Sequence, residues 1–124
     1  MNQVTPEQAH FATLCRLQKP SKLTAMSRQE KAAWLRLLRS QWTSLPGPRK
    51  NNELVNDLSQ ADMFCIDAAL FKISDTFARY LDLTDSLRII LENHFDFRSR
   101  DIESWNEKQN HSTVLRAARL MPTF

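Results

Sequence analysis

The sequence predicts an all-α protein, and three observations support this prediction. Gly47 is the single glycine among 124 residues, whereas sheets and phosphate-binding loops repeatedly need residues that tolerate positive φ. Thr5 and Ser27 each begin a Ser/Thr-x-x-Gln/Glu sequence, which is the pattern of a helix-capping box. Elsewhere, apolar residues recur at intervals of three or four, as on one face of a helix. We therefore expect one compact domain, residues 1–124, folded as a bundle of five or six helices.

The boundaries of the first two helices follow from capping residues and prolines. The first helix begins at Thr5 and ends at Pro20, because proline cannot continue a helix. The second helix begins at Ser27, and the sequence Pro46-Gly47-Pro48 ends it.

The third segment predicts a long central helix. Its apolar stripe begins near Asn52 and continues to about Leu83, although a capping-box sequence at residues 59–62 leaves a break there open. Between Met63 and Phe71, apolar side chains point in all directions around the helix axis. A helix that is apolar on every side is usually buried. We expect Met63–Phe71 to lie at the domain centre or to form a homodimer contact.

The C-terminal part predicts further helices and a helix-turn-helix-like arrangement over residues 88–109. Five apolar residues have the spacing that wedges two helices of such a motif together; they are Leu91, Phe95, Phe97, Ile102 and Trp105. Glu92 and Asp96, however, occupy positions where a small residue and a glycine are usual. Residues 88–109 also carry four basic and five acidic side chains, which disfavours contact with phosphates. If this segment binds DNA, the expected contacts are Arg98, Ser99, Arg100 and Lys108.

Charge is distributed unevenly along the chain. Residues 1–50 carry nine lysines and arginines against two acids, a net charge of +7. Residues 51–97 carry three against nine, a net charge of −6, and residues 98–124 carry five against three, a net charge of +2. This separation indicates that a basic surface and an acidic surface meet different partners, or each other.

The second helix combines tryptophans with arginines, the residues enriched in protein–protein hot spots. Both tryptophans lie on one helical stripe, and three arginines lie on the adjoining stripe. The same residues are typical of a site that holds phosphates and stacks bases, or of a core stripe beside a solvated face. The predicted partner-binding residues are Arg28, Trp34, Arg36, Arg39, Trp42, Arg49 and Lys50.

The sequence contains no motif of a catalytic, cofactor or metal site. His10 and Cys15 fall on different helix faces, and His94 and His111 have no potential metal ligand at i+3 or i+4. There is no nucleophile elbow, phosphate-binding loop or His-Glu-x-x-His sequence. Asp67 interrupts an apolar run, so it is a candidate for a buried carboxylate with a raised pKa.

The two cysteines, Cys15 and Cys65, are expected to be buried and reduced. The chain shows neither the pattern of a signal peptide nor an apolar run long enough for a membrane span. From these features we expect a cytoplasmic protein.

Taken together, these observations favour binding over catalysis. We expect a small regulatory, adaptor or inhibitor protein, of the kind that phages and plasmids use as accessory proteins. It would bind an acidic protein surface through the tryptophan and arginine residues of the second helix. The alternative is a helix-turn-helix regulator that binds DNA through residues 88–109.

Overall fold

A computed structural model describes residues 23–124. The helix predicted from Thr5 to Pro20 lies outside the described residues, as do His10 and Cys15. The described part contains five α-helices, one short 3₁₀ helix at Leu58–Gln60 and a three-stranded sheet. The helices are α1 (Arg28–Gln41), α2 (Ile66–Ile73), α3 (Phe77–His94), α4 (Ile102–Glu107) and α5 (His111–Arg119), and the strands are β1 (Pro48–Lys50), β2 (Glu53–Leu54) and β3 (Met63–Phe64).

Helix α1 begins with the capping box that its sequence predicts. The Ser27 hydroxyl accepts a hydrogen bond from Glu30 N at 3.0 Å, and the Glu30 carboxylate accepts one from Ser27 N at 2.7 Å. This reciprocal pair satisfies two backbone donors that a helix start leaves without partners. Trp34 and Leu38 point into the core, and the helix ends where Trp42 becomes extended.

The antiparallel sheet corrects the prediction of a purely helical fold. Its strands lie in the order β2-β1-β3. A two-residue turn joins β1 to β2, and both of its residues have positive φ, 54° at Asn51 and 67° at Asn52. Asparagine is the non-glycine residue that reaches this region most readily. The scarcity of glycine therefore did not exclude a hairpin, because Asn-Asn supplies the same backbone conformation.

The single long helix predicted between Asn52 and Leu83 is also wrong. Side-chain caps divide this segment. At the start of each new helix, a side chain accepts a hydrogen bond from a backbone N–H group. The Thr76 hydroxyl accepts a hydrogen bond from Arg79 N at 3.1 Å and so begins α3. The longest helix of the described part is therefore α3, with 18 residues.

The apolar stretch Met63–Phe71 lies at the centre of the described residues, one of the two arrangements predicted for it. It forms β3 and most of α2 rather than one continuous helix. Phe64, Ile66 and Leu70 are each at most 1% exposed. These side chains have no surface left for a homodimer contact.

Asn106 is a buried polar residue that joins three parts of the fold. Its Oδ1 accepts hydrogen bonds from Trp42 Nε1 at 2.8 Å and from Ile66 N at 3.1 Å. Its Nδ2 donates to Thr43 O at 3.0 Å. One amide side chain therefore connects α4, the start of α2 and the segment that follows α1.

Candidate partner-binding face

Helix α1 exposes three of the arginines that the sequence singled out. Arg28, Arg36 and Arg39 are all exposed, and they lie away from the face that carries Trp34 and Leu38. None of the three forms an ion pair with a described residue. The predicted arginine stripe is therefore on the surface of α1.

Helix α5 packs beside α1 and runs in the opposite direction. Near the start of α1, the Lys31 ammonium donates to Arg119 O at 2.7 Å and to Met121 O at 2.6 Å. Near the end of α1, the His111 Nε2 atom contacts Leu38 O. Contacts at both ends fix the two helices side by side, and burial lowers the pKa of Lys31.

Two more arginines, Arg116 and Arg119, are exposed on α5. The Arg116 guanidinium lies 5.2 Å from the centre of the Phe95 ring, which is a cation–π contact. We call the five exposed arginines of α1 and α5 the basic face: Arg28, Arg36, Arg39, Arg116 and Arg119. The last two were not among the binding residues predicted from the sequence, although their three-residue spacing in a helix without acids is a usable signal.

Helices α1 and α5 themselves carry almost no negative charge. Glu30 is the one acidic residue within α1 and α5. It forms two hydrogen bonds with Arg79 of α3, at 2.7 and 2.9 Å. Because Glu30 is already paired, it contributes little to screening the arginines.

The two tryptophans of the predicted face make their contacts within the fold. Trp34 has no exposed surface, and its Nε1 donates to Ile66 O at 3.2 Å. Trp42 is half-buried and stacks on His111, with ring centres 5.1 Å apart and planes 4° from parallel. These contacts make Trp34 a core residue and make Trp42 part of the joint between α1 and α5.

Arg49 and Lys50 lie in the hairpin rather than on α1. The Arg49 guanidinium donates to Pro46 O at 2.9 Å and to Asn52 O at 2.7 Å. These bonds hold the hairpin closed, whereas Lys50 is exposed. The sheet adjoins the end of α1, where Gln41 Nε2 donates to Asp62 O at 2.9 Å.

The residues predicted to contact DNA lie around α4. Arg98, Ser99 and Arg100 fall in the segment between α3 and α4, and Lys108 follows the last residue of α4. Arg98 pairs with Asp96 at 2.8 Å. Helix α4 itself has six residues, and its charged side chains are acidic. Helix α4 is therefore a poor DNA-recognition helix. A recognition helix lies in the major groove with hydrogen-bond donors directed at the DNA, and acidic side chains there are repelled by the phosphates.

Asp67 and Cys65 are the two further residues that the sequence marked as chemically interesting. The Tyr80 hydroxyl donates to the two carboxylate oxygens of Asp67, at 2.8 and 2.9 Å. Burial and the nearby charge of Asp67 raise the pKa of Tyr80. Burial also raises the pKa of the free Cys65 thiol to about 12, which makes it a poor nucleophile at neutral pH.

Within residues 23–124, no group of three or more His, Cys, Asp or Glu side chains has the geometry of a metal site. None of the helices in this range is both long enough and apolar enough to span a membrane. Comparison with protein-family models, with curated proteins and with solved structures finds no match to this chain.

Proposed function

We propose that this chain is a non-enzymatic binding protein whose basic face contacts an acidic surface of a protein partner. The observation that carries the proposal is that two adjacent helices expose five guanidinium groups, none of which forms an ion pair with another described residue. Like charges held close together repel one another, and an oppositely charged partner removes that repulsion.

The surface between the two helices favours a protein partner over a nucleic acid. Leu35 of α1 and Leu115 of α5 are half-buried and pack against the core. Each lies on the side of its helix that turns toward the other helix, at 100° per residue from Leu38 and His111. An apolar strip bordered by arginines is the usual composition of a protein interface, with a desolvated centre and a charged rim.

This contact suits a regulatory, adaptor or inhibitor role, because the face is preformed on two rigid helices. Binding then requires little ordering of the chain, and long-range attraction between opposite charges accelerates association. The fixed position of the arginines also disfavours partners whose surface charges do not match them.

Charge reversal tests the proposal. Tagged wild-type protein, an Arg36→Glu/Arg39→Glu variant and an Arg98→Glu/Arg100→Glu control are used to capture partners from native lysate, with and without nuclease treatment. The control reverses the same charge outside the basic face. We expect one or more acidic proteins to bind the wild type and the control but not the α1 variant. Loss from the control alone would contradict the proposal, and capture that disappears after nuclease treatment would indicate a nucleic acid instead.

A further inference from the structure

Helices α1 and α5 lie side by side, and two packed helices leave a groove along the line where they meet. Lys31 contacts the last turn of α5, and Leu38 contacts the first residue of α5, His111. Because these contacts fix the two ends, Leu35 and Leu115 come level with each other near the middle of the groove. Both leucines are half-buried, so the groove has an apolar centre.

One stripe of α1 borders this groove with a regular pattern. Arg28, Ala32, Leu35 and Arg39 follow one another at intervals of four, three and four residues. At about 100° and 1.5 Å per residue, their side chains fall within about 60° of one another around the axis, and the two arginines are about 16.5 Å apart along it. The stripe therefore presents a cation at each end and small or apolar side chains between them.

The facing stripe of α5 adds to this pattern. Leu115 and Arg119 are four residues apart, and because the helices are antiparallel, Arg119 lies toward the Arg28 end of the groove. Glu30, the one acidic residue within the two helices, lies about 140° around α1 from Leu35. It does not border the groove, so neither helix supplies a carboxylate to the cationic ends.

The groove offers an occupant side chains but few backbone groups. Within α1 and α5, backbone N–H and C=O groups pair with each other along each helix. An extended segment lying there would leave its own backbone polar groups unpaired where water is excluded, whereas a helix pairs them internally. Two packed helices also accept a third at the axis separation of about 8–10 Å that helical bundles use. The geometry therefore favours a helix as the occupant.

We propose that the partner of the basic face places a single amphipathic helix in this groove, with two acidic residues eleven positions apart and two apolar residues between them. Acid, apolar, apolar and acid follow at intervals of four, three and four residues, which repeats the spacing of the stripe on α1. This order brings carboxylates to both cationic ends while the apolar side chains cover Leu35 and Leu115. The inference rests on the proposed function, because it names the element of the partner that the basic face binds.

A synthetic helix tests this geometry on the full chain. The probe is a fluorescent, blocked peptide of about 16 residues, mostly alanine and glutamine, with glutamates and leucines in the proposed order. A hydrocarbon staple on the face away from the leucines holds it helical, because a free peptide of this length is only marginally so. Fluorescence anisotropy should give a Kd of about 100 µM or tighter.

Two control peptides separate spacing and conformation from composition. In the first, each glutamate moves two positions toward the leucines, which turns both carboxylates to the opposite face of the helix. The second, without a staple, carries a central proline that breaks the helix but keeps the charges. Each should bind at least about tenfold more weakly than the probe. Equal binding of the first would mean that charge alone suffices, and equal binding of the second would mean that the groove accepts an extended segment; either result overturns the proposal.

Two charge reversals locate the bound probe. Arg28→Glu/Arg39→Glu changes both cations of the α1 stripe and should weaken probe binding about tenfold or more. Arg36→Glu/Arg116→Glu makes the same change of charge on the basic face but away from that stripe, and should weaken it less than about threefold. A peptide with lysines in place of the glutamates should bind Arg28→Glu/Arg39→Glu more tightly than wild type, which excludes misfolding as the cause of the loss.

Failure of this inference can be distinguished from failure of the proposed function. If no probe binds, or if both reversals weaken it equally, the helix-in-groove geometry is overturned. The proposed function fails only if Arg36→Glu/Arg39→Glu still captures the acidic protein from lysate, because that experiment tests the basic face whatever the shape of the partner.

Discussion

Glu30 and Arg79 form an ion pair with two hydrogen bonds that joins the start of α1 to the start of α3. The Arg79 Nη2 atom lies 2.7 Å from Glu30 Oε1 and also donates to Ala25 O at 2.9 Å. Because Glu30 is also part of the capping box with Ser27, a single carboxylate serves the helix start and the contact between helices. Hydrogen bonds from Arg79 lower the pKa of Glu30 to about 2 from 4.5, against the opposing effect of burial.

This ion pair predicts a loss of stability in acid. Glu30 has a lower pKa in the folded state than in the unfolded state, so its contribution is present above about pH 4.5 and disappears as the pH falls towards 2. Arg79→Met should lower the free energy of unfolding at pH 7 by roughly 1–2 kcal/mol, reduced from the full electrostatic value because solvent partly screens the pair. Urea unfolding at several pH values measures both effects. If wild type and Arg79→Met lose stability in parallel below pH 4.5, the pair does not contribute as described.

The buried Thr84 hydroxyl lies near the Tyr80 oxygen but makes no well-formed hydrogen bond with a described residue, so we expect its removal to stabilise the protein. Thr84→Val keeps the shape and branching of the side chain, so the free energy of unfolding should rise by about 1 kcal/mol. Ser86 is the matched control, because its hydroxyl is also buried but accepts a hydrogen bond from Thr24 N. Ser86→Ala should therefore destabilise the protein. Thermal melting distinguishes the two, and a destabilised Thr84→Val would show that this hydroxyl already has a partner.

Asn106 should be among the most sensitive polar positions in the core. Asn106→Ala leaves the Trp42 Nε1 and Ile66 N donors without their acceptor, and we expect a loss of about 2–4 kcal/mol. Asn93→Ala, at an exposed position of α3, should change the free energy of unfolding by less than about 0.5 kcal/mol. Chemical denaturation measures both. Equal effects of the two substitutions would contradict the role of Asn106.

The backbone conformation of the hairpin turn predicts which substitutions Asn52 tolerates. Asn52 has a φ of 67°, so Asn52→Gly should be tolerated or slightly stabilising, whereas a β-branched residue there is strained. Asn52→Val should lower the free energy of unfolding by about 1–2 kcal/mol. Thermal melting of the Gly and Val variants measures the difference. Equal melting temperatures for the Gly and Val variants would contradict the turn geometry.

The start of α1 could be predicted from the sequence because its signals are local. The capping box at Ser27 involves atoms only three residues apart. The hairpin could not be predicted from the glycine count, because two asparagines supply the positive φ. The break before α3 could not be predicted from periodicity, since the Thr76 cap interrupts an apolar pattern that by itself continues.

The candidate site was predictable in part. The stripe of Arg28, Arg36 and Arg39 follows from helical periodicity, and these residues are exposed. The contribution of Arg116 and Arg119 depends on the packing of α5 beside α1, and the Lys31–Arg119 contact spans 88 positions of sequence. Periodicity also could not decide between a surface and a core position for Trp34, because it gives the face of a helix but not what covers that face.

Site-specific photo-crosslinking tests the central proposal most directly, by locating the surface on which the partner lies. Ala32 is exposed on α1 between Arg28 and Arg36, so p-benzoylphenylalanine at this position lies within the basic face. The same photoreactive residue at Asn93 of α3 provides the control. We expect a nuclease-resistant crosslink to a protein from position 32, lost when Arg36 and Arg39 are also reversed to Glu, and no such crosslink from position 93. A crosslink from position 93 alone, or a crosslink to nucleic acid from position 32, would contradict the proposal that the basic face binds a protein.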